Sequence, residues 1–465
     1  MTNQSRWLRL IVWSVVGVAA QGFSRLATNV IVARMSGLES LGHVGTISAA
    51  AFGVALLGPT ALAATQTKFV AQVQGAGGRD AAKDLGGSLS SWCLWLCILL
   101  STLVGWWLAL TVSPVDAISG FLLTAGASLY SMARSACFLN GKNAVGVRLE
   151  VGMATAGLIG AAILAWTGGS GGILLLPQAI ALICYAAYFL RPSMKPMRLS
   201  KEMLEFVALS SLAGLASAGV FQMTILVARL DGGVGSAGMA SAALAVSTPL
   251  SFIAGAVTSV LYPRFSRLVG AQRYTEALAL SRRSALGLAS VLLPPLFLVT
   301  YFAEDILSAV WGAEFVPSGG LVAPLVAGII ATAVAAPEVA MLTARSRSGV
   351  RESTVASVAG TAVGVTLWAM SLWLPGNQLP LIAYGYMLSM SLTALASTIL
   401  LKRGLSPVFI WVCGAIVVVL MTPWWRDCIP EGYQTHVGIA TGLTISAASL
   451  IGAKRVSLFE RALPS

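Results

Sequence analysis

Between residues 8 and 452 the chain is a succession of apolar runs, each about 18–25 residues long, separated by short polar connections. A helical run of that length spans a hydrocarbon core of about 30 Å, and a helix satisfies all of its own backbone donors and acceptors where water is absent. About 14 such runs predict an all-α polytopic membrane protein. The first span is expected over 8–33, followed by an outer turn at 35–41. A second span reaches residue 72, with Pro59 placed to kink it because proline removes a backbone hydrogen bond. A glycine-rich connection at 75–87 precedes spans at 89–112, 118–139, 149–166 and 173–190. No strand precedes those glycines and no Lys-Ser or Lys-Thr follows them, so they do not form a phosphate-binding loop.

The pattern then starts again. Residues 191–204, with Pro192 and Pro196, link the first six spans (1–190) to a second six expected over 205–403. The first two spans of that set end at Arg229 and Arg264. Arg34 and Arg229 lie 195 residues apart, as do Gly75 and Gly270; further on, Lys142 and Arg345, and Arg148 and Arg351, lie 203 apart. The extra eight residues fit the longer outer connection at 303–318. These matches imply an internal duplication of six spans, hence two lobes of like orientation related by a pseudo-two-fold axis along the membrane normal. Residues 404–465 add two spans, 407–425 and 436–453, that have no counterpart in the repeat.

Composition agrees: 57% of residues are hydrophobic, 10% are charged and the mean hydropathy is +0.84, so dividing the length into soluble domains does not apply. The net charge of +12 invites a nucleic-acid reading, but the placement of the charge argues against it. With a cytoplasmic amino terminus, alternate connections hold 23 of the 29 Lys and Arg, and the opposite ones hold only Arg34, Arg229 and Arg426. That asymmetry is the positive-inside pattern of a bacterial cytoplasmic membrane protein with both termini inside. The amino-terminal basic and apolar stretch is too long for a cleaved signal and is expected to remain as the first span. The six cysteines fall mostly within spans and read as packing residues.

The candidate chemistry centres on the first span, QGFSRLATNVIVAR (21–34). Gln21, Arg25, Thr28 and Asn29 fall at i, i+4, i+7 and i+8, a polar stripe on an otherwise apolar helix. Such a stripe faces protein or a water-filled cavity, and the planar fork of Arg25 suits a phosphate or carboxylate. Arg34 and Arg229 at the outer ends, and Lys68 and Arg264 at the inner ends, are further candidate contacts for an anion. Each also fits a plain interfacial role. Glu338, beside Pro337, is read as the one acidic residue well inside a span, either paired with Arg134 or coupling transport to an ion. Gly17, Gly22, Gly214 and Gly219 are placed for close helix packing. No catalytic or metal constellation is expected, nor a cofactor: His43 and His436 are far apart, and the connections leave little room for an enzyme domain.

Several stretches together resemble a known family. VARMSGLESLG (32–42), a second span ending in Phe-Val-Ala-Gln (69–72), YPRFSRL (262–268) and ILSAVWGAEFVPSGGLVAPL (306–325) are similar in order and spacing to polysaccharide-lipid (Wzx-type) flippases of the multidrug/oligosaccharidyl-lipid/polysaccharide (MOP) exporter superfamily, over about residues 10–400. The resemblance implies two six-helix lobes around a cavity lined by spans 1, 2, 7 and 8. It implies a polyprenyl-diphosphate-linked glycan moved across the cytoplasmic membrane by alternating access, with glycan polymerase or glycosyltransferases of the same pathway as partners. Phe-Ser-Arg (23–25) also resembles the first span of lipid II flippases, but these carry further charges where this chain has Leu-Ala-Thr-Asn (26–29). A MATE-type drug or cation antiporter is the other transporter reading; those proteins use membrane carboxylates, which the first six spans are expected to lack. A membrane glycosyltransferase or polymerase is the least favoured, with Glu304, Asp305 and Glu314 as its only candidate acids in an outer connection.

Overall fold

The computed structural model describes residues 3–70, 73–74, 79–193, 198–270, 272–374, 378–402, 407–430 and 434–445, and no strand occurs among them. Helix α1 (Asn3–Ala55) is two helices joined at Gly37, whose backbone (φ 80°, ψ −176°) lies in a region open essentially to glycine alone. The expected outer turn at 35–41 is therefore a single-residue kink inside a helix. The two halves fold back on each other across it, as the contact of Arg25 with Phe52 requires.

The break at Gly58 puts Pro59 at the first position of α2 (Pro59–Thr65), where its missing N–H is harmless. The helix axis bends there by 41°, as proline at this position predicts. A π-turn (Gln66–Val70) follows, and residues 71–72, the expected end of this span, lie outside the described residues. Helix α3 (Arg79–Thr111) starts ten residues before the expected boundary. Asp80 favours the positive helix end and pairs with Lys83 one turn on (3.1 Å), so much of the expected loop is helix; residues 75–78 lie outside the described residues.

Helix α4 (Pro114–Leu139) has proline in its first turn and a Ser113 cap that accepts from the Asp116 amide at 3.1 Å. A turn at 140–142 leads to α5 (Asn143–Trp166), six residues longer at its start than expected. A 3₁₀ turn (Gly171–Leu175) then leads into α6 (Leu176–Phe189). Helix α7 (Lys201–Gly214) begins four residues earlier than expected, because the Ser200 hydroxyl accepts from the Met203 amide and caps it. A π-turn (Leu215–Gly219) continues into α8 (Val220–Gly270), which kinks at Gly232 and Gly233. Gly233 (φ 73°, ψ −160°) shares the conformation of Gly37, 196 residues away.

The chain divides into two compact units, 1–241 and 242–465. In the first, Leu62, Phe69, Leu85, Leu89 and Met132 form a core that takes in Met203 and Phe206 of α7. The start of α8 crosses the second half of α1 closely: a Cβ on Gly42 would collide with the Val234 carbonyl. The second unit holds α9 (Tyr274–Tyr301), α10 (Ala303–Val310), α11 (Gly319–Arg345), α12 (Arg347–Ser371), α13 (Leu379–Lys402), α14 (Pro407–Asp427) and a helix at 434–445. α11 is buried on nearly every face, whereas α3 of the first unit presents Trp95, Leu103, Trp106 and Leu110 outward. Among the described residues eight helices are long and apolar enough to cross a membrane, or nine if the pair bent at Pro59 is one span. The chain is an integral membrane protein.

The Gly37 kink gives a direct test. Gly37→Ala forces a Cβ into the glycine-only region and is expected to destabilise the protein by about 1–3 kcal/mol, read as a lower thermal midpoint in detergent. A Ser36→Ala control would show no comparable loss, since its hydroxyl makes one long bond (3.3 Å) to the Gly169 carbonyl.

Candidate functional site

The first half of α1 lies along α5 through positions spaced four, three and four apart. Gly17 lets the Glu150 carboxylate approach the α1 backbone, and any Cβ there would strike Glu150 Oε2. The Gln21 amide donates to the Glu150 backbone carbonyl (3.3 Å), the Ser24 hydroxyl donates to the Ala154 carbonyl (2.9 Å), and Thr28 is buried. The expected stripe is thus divided. Gln21 and Thr28 share the face that carries Ser24, whereas Arg25, about 100° further round, points elsewhere.

The guanidinium of Arg25 lies 3.7 Å from the ring centroid of Phe52, in the second half of the same helix. Its Nε is buried with no hydrogen-bond partner, and no ion pair among the described residues includes it. Asn29 is half-buried one turn outward. Arg25 is therefore a half-buried cation of the first unit that no ion pair among the described residues neutralises.

Its neighbours are compensated. Glu150 is fully buried and accepts from the Tyr130 hydroxyl and from Arg134 Nε, each at 2.8 Å, while its Oε2 has no hydrogen-bond partner. Arg134 also lies over Phe138, and Tyr130 packs against Tyr185 (5.1 Å between centroids). This corrects two expectations. The partner of Arg134 is Glu150, not Glu338, and the first six spans do hold a buried carboxylate. The error came from the helix boundary: a span starting at 149 leaves Glu150 at the interface, whereas α5 starts at Asn143 and carries it two turns inward. Hairpin geometry was the available signal, since Arg134 and Glu150 stand seven and nine residues either side of the turn at Gly141.

A second group that sequence reasoning missed lies at the far end of α4. Buried Asp116 accepts from the Gly172 amide (2.8 Å), and its other oxygen stands 3.7 Å from His43 Nδ1. Arg229 is half-buried, its Nη1 has no hydrogen-bond partner, and the charge of Asp116 reaches it. Arg34 is exposed. Lys68 does not stand free: its ammonium lies 4.4 Å from the Phe206 ring centroid and 5.1 Å from that of Phe69. In the second unit Arg264 is exposed, and Glu338 is fully buried in α11.

Two of the three acids considered for an enzyme, Glu304 and Asp305, are tied up structurally, and Glu314 is exposed. Arg426 of α14 pairs with Glu304 (3.4 Å) and Asp305 (3.1 Å), and its Nη1 donates to the Tyr301 carbonyl (3.3 Å). The Tyr301 hydroxyl donates to the Gln434 carbonyl (2.8 Å), which secures the last described helix to α9. All six cysteines are free. Among the described residues no three His, Cys, Asp or Glu side chains gather closely enough to hold a metal.

No protein-family model and no curated protein matches the sequence. Solved structures do. A MOP-superfamily transporter from Pyrococcus furiosus, whose binding pocket is described as reversed in polarity, matches with a TM-score of 0.61 at 15% identity, over 89% of this chain and 96% of that one. An inward-facing multidrug-resistance MATE transporter of the same superfamily matches with a TM-score of 0.60 at 16% identity, over 87% and 98%. An outward-facing MATE transporter matches at 0.58 and 14%, over 89% and 96%. At these identities it is the architecture that is shared, and this chain has the all-helical fold of the MOP-superfamily transporters.

Proposed function

We propose that this chain is a membrane transporter, not an enzyme, and that it flips an anionic, lipid-linked oligosaccharide or polysaccharide precursor across the bacterial cytoplasmic membrane by alternating access. The observation that carries the reading is Arg25: a guanidinium inside the first unit, stacked on Phe52 and lacking an ion-pair partner among the described residues, while nearby Arg134 is paired. An unneutralised cation in a membrane helix is costly to fold around, and it becomes favourable when a phosphate arrives. A polyprenyl diphosphate fits that need, and two non-bridging oxygens of one phosphate can accept from the planar guanidinium fork together. The motif resemblance at 32–42, 262–268 and 306–325 points the same way, and the shared fold supports a transporter. Asn29 belongs to this reading as a polar flank of Arg25 and Gln21 as the link that holds α1 to α5 one turn before it, with Arg34 and Arg229 as further contacts on the way out and Lys68 and Arg264 on the way in. Its partners would be membrane lipids and the glycan-building enzymes of the same pathway.

A second reading is a MATE-type cation or drug antiporter. It is favoured by the buried carboxylates Glu150 and Glu338 and by the multidrug transporters that share the fold. Purified protein in liposomes separates the two. The flippase reading expects transfer of a fluorescent polyprenyl-diphosphate glycan between leaflets at least tenfold above empty vesicles, with no gradient-driven uptake of an organic cation. Cation uptake without glycolipid transfer would overturn it.

A further inference from the structure

Resting on that reading of Arg25, we infer that Glu150 is the positioning residue of the anion site: it neutralises Arg134, so that Arg25 alone meets the phosphate, and it fixes the height at which α1 presents Arg25. Three features of the geometry lead there. Glu150 is wholly buried and binds both Tyr130 and Arg134 at 2.8 Å, the separation of charge-assisted bonds. Its carboxylate also abuts the backbone of α1 at Gly17, the one residue type there that leaves room for it. Its own carbonyl then receives the Gln21 amide, and Ser24 repeats the link one turn on. Arg25 is the next residue along, so a shift of α1 against α5 displaces the guanidinium directly.

The electrostatics add a selectivity role. Arg25 stands one turn beyond Gln21, whose amide bonds to Glu150, and Glu150 holds Arg134, so the two guanidiniums share one region of the first unit. With Arg134 paired to Glu150, that region carries one net positive charge. Without Glu150 it carries two, and Arg134, whose Nη2 already lacks a hydrogen-bond partner, becomes a competing phosphate ligand. A diphosphate held by two arginines binds more tightly and leaves more slowly, and a transporter gains nothing from tight ground-state binding.

The charge logic makes the inference testable by second-site rescue. Steady-state flipping of a fluorescent polyprenyl-diphosphate glycan would be measured in liposomes for Glu150→Gln, Glu150→Asp and the double variant Arg134→Met/Glu150→Gln, each first checked for folding by gel filtration and thermal melting. Glu150→Gln is expected to lower both KM and kcat, kcat by about tenfold, and Glu150→Asp to recover part of the loss. The double variant, neutral again, is expected to return KM to within about threefold of wild type, even if the single Gln variant fails to fold. Wild-type KM and kcat in a folded Glu150→Gln protein would overturn the inference, as would a double variant that fails to fold. Failure of the underlying reading looks different: Arg25→Ala would then flip glycolipid normally whatever occupies position 150.

Discussion

Arg25→Ala is expected to slow flipping of a polyprenyl-diphosphate glycan by about 10- to 100-fold while the protein still inserts and folds. The magnitude follows from the bond being removed: a hydrogen bond to a charged group contributes about 1.5–3 kcal/mol. Arg25→Lys should recover only part of the rate, because an ammonium keeps the charge but loses both the bidentate fork and flat stacking on Phe52. Arg25→Met is the more revealing variant. It fills similar volume without the uncompensated charge, so it should match or exceed the wild type in thermal stability while failing to transport. Such an opposition between stability and activity marks a residue kept for its ligand. Flipping at the wild-type rate by Arg25→Ala liposomes would remove Arg25 from the site.

Arg134→Ala should have the largest effect on stability, a loss of about 3–5 kcal/mol, because it strands the fully buried Glu150 without its counter-ion. Glu150→Ala should cost a similar amount for the converse reason. Removing both charges with side chains of similar bulk should be far milder, since the desolvation of the pair disappears with the pair. Thermal melting in detergent of the two single variants and the double variant forms the cycle. Additive losses would show that the two side chains do not act as a pair. The contrast with Arg25 is instructive: the two arginines stand on either side of the contact between Gln21 and Glu150, yet removing one is expected to cost stability and removing the other function.

The sequence alone determined the all-helical membrane architecture, because about 20 consecutive apolar residues leave the backbone no other way to satisfy itself in hydrocarbon. It also gave the bend at Pro59, which follows from a residue whose constraint is local, and singled out Arg25 as a charge within an apolar run. Helix starts were read less well. The Ser200 cap and Asp80 extend α7 and α3 by four and ten residues through polar first turns that hydropathy excludes, and α5 starts six residues early at Asn143. That matters most at Glu150, where six missing residues hid a buried carboxylate and sent its partner Arg134 to Glu338 instead. The Gly37 reversal was likewise read as a loop, because a one-residue kink has no composition to betray it. Only the tertiary structure decided how the polar stripe divides, with Gln21 and Ser24 to α5 and Arg25 to Phe52. Helical periodicity fixes which residues share a face, but which neighbour each face meets depends on packing between segments distant in sequence, 27 residues for Arg25 and Phe52 and about 130 for Gln21 and Ser24 on α5.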